Sequence, residues 1–184
     1  PHLLKLIKDA GCDSIGMGIQ SGSKRILNDV YDRKTKRAQV IEACEYLVES
    51  GIKTASVDFI PRTAFDIEED LEATVDLLLD IPASLAPSFY NELTIYPNYP
   101  IHEKLKESNI VASSSTLSED DYNYYFKLMA LTRFEKISRE SIKLIRENPY
   151  YKEDHNRLNK YLPTDDENPA VYNQAVQQKN TEAC

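Results

Sequence analysis

The sequence predicts an α/β fold of about three parallel strands with crossover helices, followed by a helical appendage. Strand-like segments at Ser14–Gln20, Lys53–Ile60 and Ser88–Tyr96 alternate with helix-periodic segments across short connections. After residue 111 the strand signal stops and only helical periodicity and caps continue. All five glycines precede residue 52, whereas eight of the nine prolines follow it, so the two ends of the chain are punctuated differently. Three strands are too few to close a barrel. The chain also opens inside an amphipathic face (Leu3, Leu4, Leu6, Ile7) without a starting Met. The expectation is that the N-terminus is the cut edge of something larger, with the rest of the sheet upstream.

Each element has a local reason. Residues 2–10 carry helical spacing, and Gly11 supplies the C-terminal cap. Ser14–Gln20 (SIGMGIQ) has glycines where a backbone or ligand comes close. Ser23 is positioned to cap a helix over Lys24–Val30. Thr35–Ser50 places Val40, Ile41, Ala43, Cys44, Leu47 and Val48 at helical spacing before Gly51. Lys53–Ile60 switches to β-branched residues. Asp66–Asp80 begins with acids at Asp66, Glu68, Glu69 and Asp70, which suit a helix N-terminus, and carries Leu71, Val75, Leu78 and Leu79 on one face. Ser88–Tyr96 is the third strand, ended by Pro97 and Pro100, with a short helix over Ile101–Glu107. Val111–Ser118 is a polar linker, and Ser118–Asp121 is a capping box opening a helix to about Arg133. Further helical pieces fall at Glu135–Arg146, halted by Asn148-Pro149, and at Lys152–Leu162. Beyond Pro163 the chain is polar and is expected to be a loosely attached tail. The division is therefore 1–111, 112–162 and 163–184.

Composition narrows the function. Lys and Arg number 22 against 30 Asp and Glu, a net charge of −8, and no basic tract exists; nucleic acid is not the expected partner. No run of 18 apolar residues is present, so no membrane partner is expected. Cys12, Cys44 and Cys184 are too widely spaced for a disulfide framework or a clustered metal site, and a reduced, cytoplasmic setting is the default. His2, His102 and His155 form no ligand pair.

Three segments carry a family resemblance. Gly18–Arg33 (GIQSGSKRILNDVYDR) closely resembles the G-[IFV]-Q-S-G-S-x-R-[IV]-L segment of radical S-adenosylmethionine (SAM) enzymes. Val57–Thr74 is similar to a D-F-I-x-G-x-P-G-E-T-x-E-D segment: Asp58-Phe59-Ile60 and Glu69-Asp70 fit in phase, while Arg62–Asp66 replaces the Gly-x-Pro-Gly-Glu turn. Leu93–Leu105 is similar to the ending of the family's sixth strand. The altered turn looks like that of the cobalamin-binding class, which includes Fe–S oxidoreductases and anaerobic magnesium-protoporphyrin IX monomethyl ester cyclases.

The resemblance covers about Leu3–Val111. It implies the C-terminal half of a partial (β/α)6, TIM-like barrel, SAM as cofactor, and a [4Fe–4S] cluster and cobalamin held by the missing N-terminal half. That half is then the first partner, beside a small-molecule substrate. The reaction class implied is hydrogen abstraction leading to methylation, cyclisation or rearrangement. The three cysteines cannot supply the family's CxxxCxxC spacing, so this polypeptide alone is expected to be inactive.

The resemblance also implies site residues. Gln20, at a strand's C-terminal end, offers an amide for ribose hydroxyls, or else caps a loop. Ser21 contacts the ligand or starts the turn. Gly22 admits a close approach or a positive φ. Arg33 holds the SAM carboxylate through its guanidinium fork, or pairs with Asp29 or Asp32. Asp58, an acid in an apolar strand, accepts from SAM or pairs with Lys53 or Arg33. Asp66 is read as a helix N-cap. Tyr122, Tyr124, Tyr125 and Phe126 are read as packing against the barrel, with a substrate-cap role as the alternative. Two readings of the whole compete with an enzyme half. One is a non-catalytic scaffold forming a homodimer through an exposed sheet edge. The other, a βα-barrel lyase, lacks the glycine turns it needs after Gly51.

Overall fold

The computed structural model describes residues 2–89, 93, 96, 98–107, 117–134 and 137–162. Helix α1 (His2–Asp9) ends where Gly11 takes φ +90°, and the Cys12 amide donates to the Ile7 carbonyl at 3.1 Å. Strand β1 is Ser14–Gln20. The helix that follows winds as a π turn over Ile26–Val30 and buries Ile26, Leu27 and Val30. Ser23 caps it, its Oγ accepting from the Ile26 amide at 3.3 Å.

Helix α2 (Arg37–Glu49) starts two residues later than predicted, because Lys36 is still extended. Strand β2 is Thr54–Phe59 and helix α3 is Glu68–Asp80. Strand β3 is Ala86–Ser88, a correction to the predicted Ser88–Tyr96. Its last registered pair is Asp58 with Ser88, one residue before β2 ends at Phe59. Residues 90–92, 94, 95 and 97 lie outside the described residues.

The three strands are parallel, in the order β1-β2-β3. Their two faces differ in chemistry. Ile19, Val57 and Phe59 are buried and join one cluster with Val40, Cys44 and Leu47 of α2 and with Leu71, Val75 and Leu78 of α3. Each such side chain contributes about 1.5–3 kcal/mol by leaving water. The opposite face presents Gly16, Gly18, Ser56 and Asp58, all small or polar, with the glycines exposed.

Helix α4 is Pro100–Glu107, so Pro100 begins a helix. Helix α5 (Glu119–Leu131) has the predicted capping box: the Asp121 amide donates to Ser118 Oγ at 3.1 Å, and the Ser118 amide to Asp121 Oδ2 at 2.8 Å. Most of the predicted linker lies outside the described residues, as do 163–184. Helix α6 is Arg139–Glu147, four residues shorter at its start than predicted because Ser138 caps it. Asn148-Pro149 ends α6 but also opens α7 (Pro149–Glu153), Asn148 Oδ1 accepting from the Tyr150 amide at 3.1 Å. A 3₁₀ segment, His155–Tyr161, closes the described chain.

Helix α5 is packed along α3. At one end Tyr125 donates to Glu68 Oε1 at 2.6 Å; at the other, the Arg133 guanidinium donates to the carbonyls of Leu78 and, at 2.9 Å, of Pro82. The two helices therefore run the same way. Burial pulls the Arg133 guanidinium down to about 10, yet it caps the end of α3 where carbonyls otherwise lack donors. Tyr124, Tyr125, Leu128, Met129 and Leu131 are buried in the same cluster as Val57 and Cys44. The strands and the later helices share one core. No helix among the described residues is long and apolar enough to cross a membrane.

Candidate functional site at the strand ends

Gln20 closes β1 in the left-handed region, at φ +69°, where the register against β2 skips between Gly18 and Gln20. Its carbonyl accepts from the Ile60 amide at 2.9 Å, which ties the ends of β1 and β2 together. Its side chain folds back over Gly18: a Cβ at Gly18 would stand 2.4 Å from Gln20 Nε2. Gln20 Oε1 is shielded from solvent and accepts no hydrogen bond among the described residues. A shielded acceptor left unpaired costs about 1–3 kcal/mol, so the position suits a donor that the described residues do not supply.

Arg33 arrives at the same place. Asp32 turns the backbone at φ +50°, and Arg33 Nη1 then donates to the Gly18 carbonyl at 3.0 Å. Asp58 pairs with Gly18 in register, on the open face, and its Oδ2 would lie 3.6 Å from a Cβ at Gly16. Lys53, weighed as its partner, instead pairs with Asp13 at 2.8 Å. Gln20 and Arg33 thus meet at Gly18, and the Asp58 carboxylate lies on the same open face toward Gly16. They present an amide, a guanidinium and a half-buried carboxylate at the C-terminal ends of parallel strands.

Ser21 and Gly22 hold the loop that follows. Ser21 is buried and its Oγ accepts from the Ser23 amide at 3.0 Å. The Gly22 amide donates to Thr74 Oγ1 at 3.0 Å, and a Cβ there would meet the Ala73 carbonyl oxygen at 2.4 Å. The close approach at Gly22 is made by α3, and neither it nor Ser21 takes a positive φ.

Asp70 is the residue that sequence reasoning undervalued. It reads as one acid among several at a helix start, yet it is buried. It accepts from Ser23 Oγ at 2.5 Å, from the Ile67 amide at 3.0 Å and from the Arg25 guanidinium. Its hydrogen bond is the largest influence raising the Arg25 guanidinium above its usual value. Arg25 also donates to the Phe65 carbonyl at 2.5 Å. The Q-S-G-S-x-R segment is therefore bolted to α3. The only sequence signal was that both segments belong to the same resemblance.

The Arg62–Asp66 turn is built by its polar residues. Asp66 accepts from the Thr63 amide at 2.7 Å, from Thr63 Oγ1 at 2.8 Å and from the Tyr122 hydroxyl at 3.3 Å. Burial pushes its carboxyl above the usual range. The N-cap role expected of Asp66 falls instead to Ile67, whose amide is taken by Asp70, because Asp66 is already spent closing the turn. Tyr31 was also missed. It packs against Ile26, Val30 and Phe65, and its hydroxyl is shielded and unpaired among the described residues. Desolvation raises it first, the Asp66 charge second.

The described thiols do not converge. Cys12 Sγ donates to the Ser14 carbonyl at 3.2 Å, at the far end of β1 from Gln20. Cys44 is fully buried, and desolvation pushes its thiol up to about 11. Among the described residues no three His, Cys, Asp or Glu side chains are placed to hold a metal.

A comparison with protein families matches residues 1–78 to the Radical SAM superfamily. That stretch runs from α1 into α3 and includes Gln20, Arg33 and Asp58. No curated protein matches the chain.

Proposed function

We propose that this chain is the C-terminal part of a radical SAM enzyme, supplying the second half of a partial (β/α)6 barrel and binding SAM through Gln20, Arg33 and Asp58. The family match over residues 1–78 supports the superfamily. The observation that carries the site is Gln20 Oε1, a shielded acceptor without a partner among the described residues, at the end of a parallel strand. The residues around it suit the ligand: an amide for ribose hydroxyls, a guanidinium for the carboxylate, and Asp58 for the amino group or a hydroxyl. The open, small-residue face of the sheet suits a barrel interior that must admit a ligand.

SAM bound to a reduced [4Fe–4S] cluster supplies a deoxyadenosyl radical for hydrogen abstraction. Cys12 and Cys44 do not fit such a cluster, so Gln20, Arg33 and Asp58 are read as SAM holders only. The finer assignment, to the cobalamin-binding, cyclase-like class, rests on the Arg62–Asp66 turn in place of glycine. A reading frame extended upstream of Pro1 that contains no CxxxCxxC would remove the enzyme reading. Calorimetric titration with SAM is the direct test. Gln20→Ala and Arg33→Ala are each expected to weaken binding about tenfold, the usual scale for a hydrogen bond to a charged or desolvated group; unchanged affinity rejects the assignments.

A second reading is favoured by one observation: β1 pairs with β2 alone among the described residues, so its other edge offers unpaired backbone. A scaffold that dimerises through this edge would run as a dimer in solution scattering, and a monomer at high concentration excludes it.

A further inference from the structure

We propose that Arg62 and Tyr122 form a latch by which helix α5 holds the Arg62–Asp66 turn in place over the end of β2. The proposal rests on reading the strand ends as the SAM site, and makes both side chains positioning residues for it.

Three observations carry it. Arg62 occupies the left-handed region at φ +64°, two residues after the Ile60 amide that bonds Gln20. A non-glycine residue holds that conformation only when its surroundings impose it. The surroundings do so from a distant part of the chain. The Arg62 guanidinium lies 5.4 Å from the Tyr122 ring centroid and 5.1 Å from that of Phe126, and its Nη2 donates to Glu119 Oε1 at 2.7 Å. Finally, the Tyr122 hydroxyl donates to Asp66, the residue that closes the turn. Both ends of the turn, at 62 and at 66, are thus gripped by the first two turns of α5. Side-chain anchoring does here what a glycine-rich backbone does where left-handed φ is free of strain. Helix α5 thereby sets the geometry of the turn beside the site.

The test sets backbone ease against anchoring. Arg62→Gly relaxes the backbone and removes the anchor; Phe126→Leu removes one ring and leaves residue 62 unchanged. Amide hydrogen exchange of the full chain, resolved by NMR, is read at Ile60, Thr63 and Phe65, with Val57 and Leu78 as core controls. The latch predicts exchange at the three turn amides about fivefold or more faster in both variants, with the controls unmoved and Arg62→Lys intermediate. If Arg62→Gly protects these amides as well as or better than the native residue, the backbone alone sets the turn and the latch is overturned. S-adenosylhomocysteine is then titrated while the Gln20 side-chain amide is followed. Arg62→Gly is expected to weaken the response of the native chain severalfold, and equal affinity overturns the positioning role. A native chain that does not respond at all defeats the SAM reading, and the exchange experiment still decides the latch.

Discussion

Replacing Gly22 and Gly18 by alanine separates packing from binding at two glycines four residues apart. At position 22 the new methyl would stand 2.4 Å from the Ala73 carbonyl oxygen and 2.5 Å from Thr74 Cα, both backbone atoms of a buried helix. Contacts of that length require about 1 Å of displacement. Moving α3 away stretches the Gly22–Thr74 hydrogen bond and disturbs the Ser23 and Arg25 bonds to Asp70. Overpacking costs about 1–3 kcal/mol and a lost hydrogen bond about 0.5–1.5 kcal/mol. The loss of unfolded-state entropy returns about 0.4–1 kcal/mol. The expected net is about 2–3 kcal/mol, or a fall of about 4–12 °C in Tm for a chain of this size. At position 18 the obstacle is the far end of the Gln20 side chain, which rotates aside. Gly18→Ala is therefore expected to melt within about 3 °C of the native chain, while Gln20 is driven off its position and SAM affinity falls. Calorimetric melting and a SAM titration on both variants check this. Gly22→Ala melting like the native chain, or Gly18→Ala falling as far as Gly22→Ala, would refute the reasoning.

Other outcomes follow from the same contacts. Arg133→Met strips the donors from the Leu78 and Pro82 carbonyls, and is expected to cost about 2–4 kcal/mol in urea unfolding, as buried acceptors lose their partners. Glu68 is held below its usual range, first by Lys152 and then by the Tyr125 hydroxyl. A depressed carboxyl adds stability above its unfolded pKa and loses it as pH falls through the folded value, so Glu68→Gln should flatten the drop in stability below about pH 4; an unchanged acid limb in urea melts refutes this. Cys44, buried and with its thiol raised to about 11, should react with a thiol reagent only on unfolding. Rapid native labelling of Cys44 in a Cys12→Ser, Cys184→Ser background would contradict the core described.

Much of the fold was legible because its signals are local. The SIGMGIQ run, the Ser118–Asp121 capping box and Gly11 each specify their own geometry within a few residues. The boundaries that moved were set by distant partners. Asp66 looked like a helix cap but was recruited by Thr63 and Tyr122. The third strand begins two residues before its predicted start because Ala86 and Pro87 are in register with Ser56 and Val57. At the candidate site, the resemblance brought Gln20, Arg33 and Asp58 to notice, and their placement on one face needed the register of two strands and the turn at Asp32. Asp70, Tyr31 and Arg62 stayed hidden because their meaning lies in partners that include residues 34 to 57 positions away.

The cap that Arg133 places on α3 has a consequence for how the chain matures. The stretch similar to the superfamily stops at residue 78, inside α3, and the carbonyl that Arg133 covers belongs to that same residue. As the polypeptide leaves the ribosome, the strands and α3 emerge before α5, with an apolar flank awaiting Tyr125, Leu128 and Met129. Until residue 133 follows, that flank is a docking face for chaperones or for other nascent chains. Because one core joins residues inside the matched stretch to residues beyond it, truncation at residue 78 is expected to yield an aggregating product.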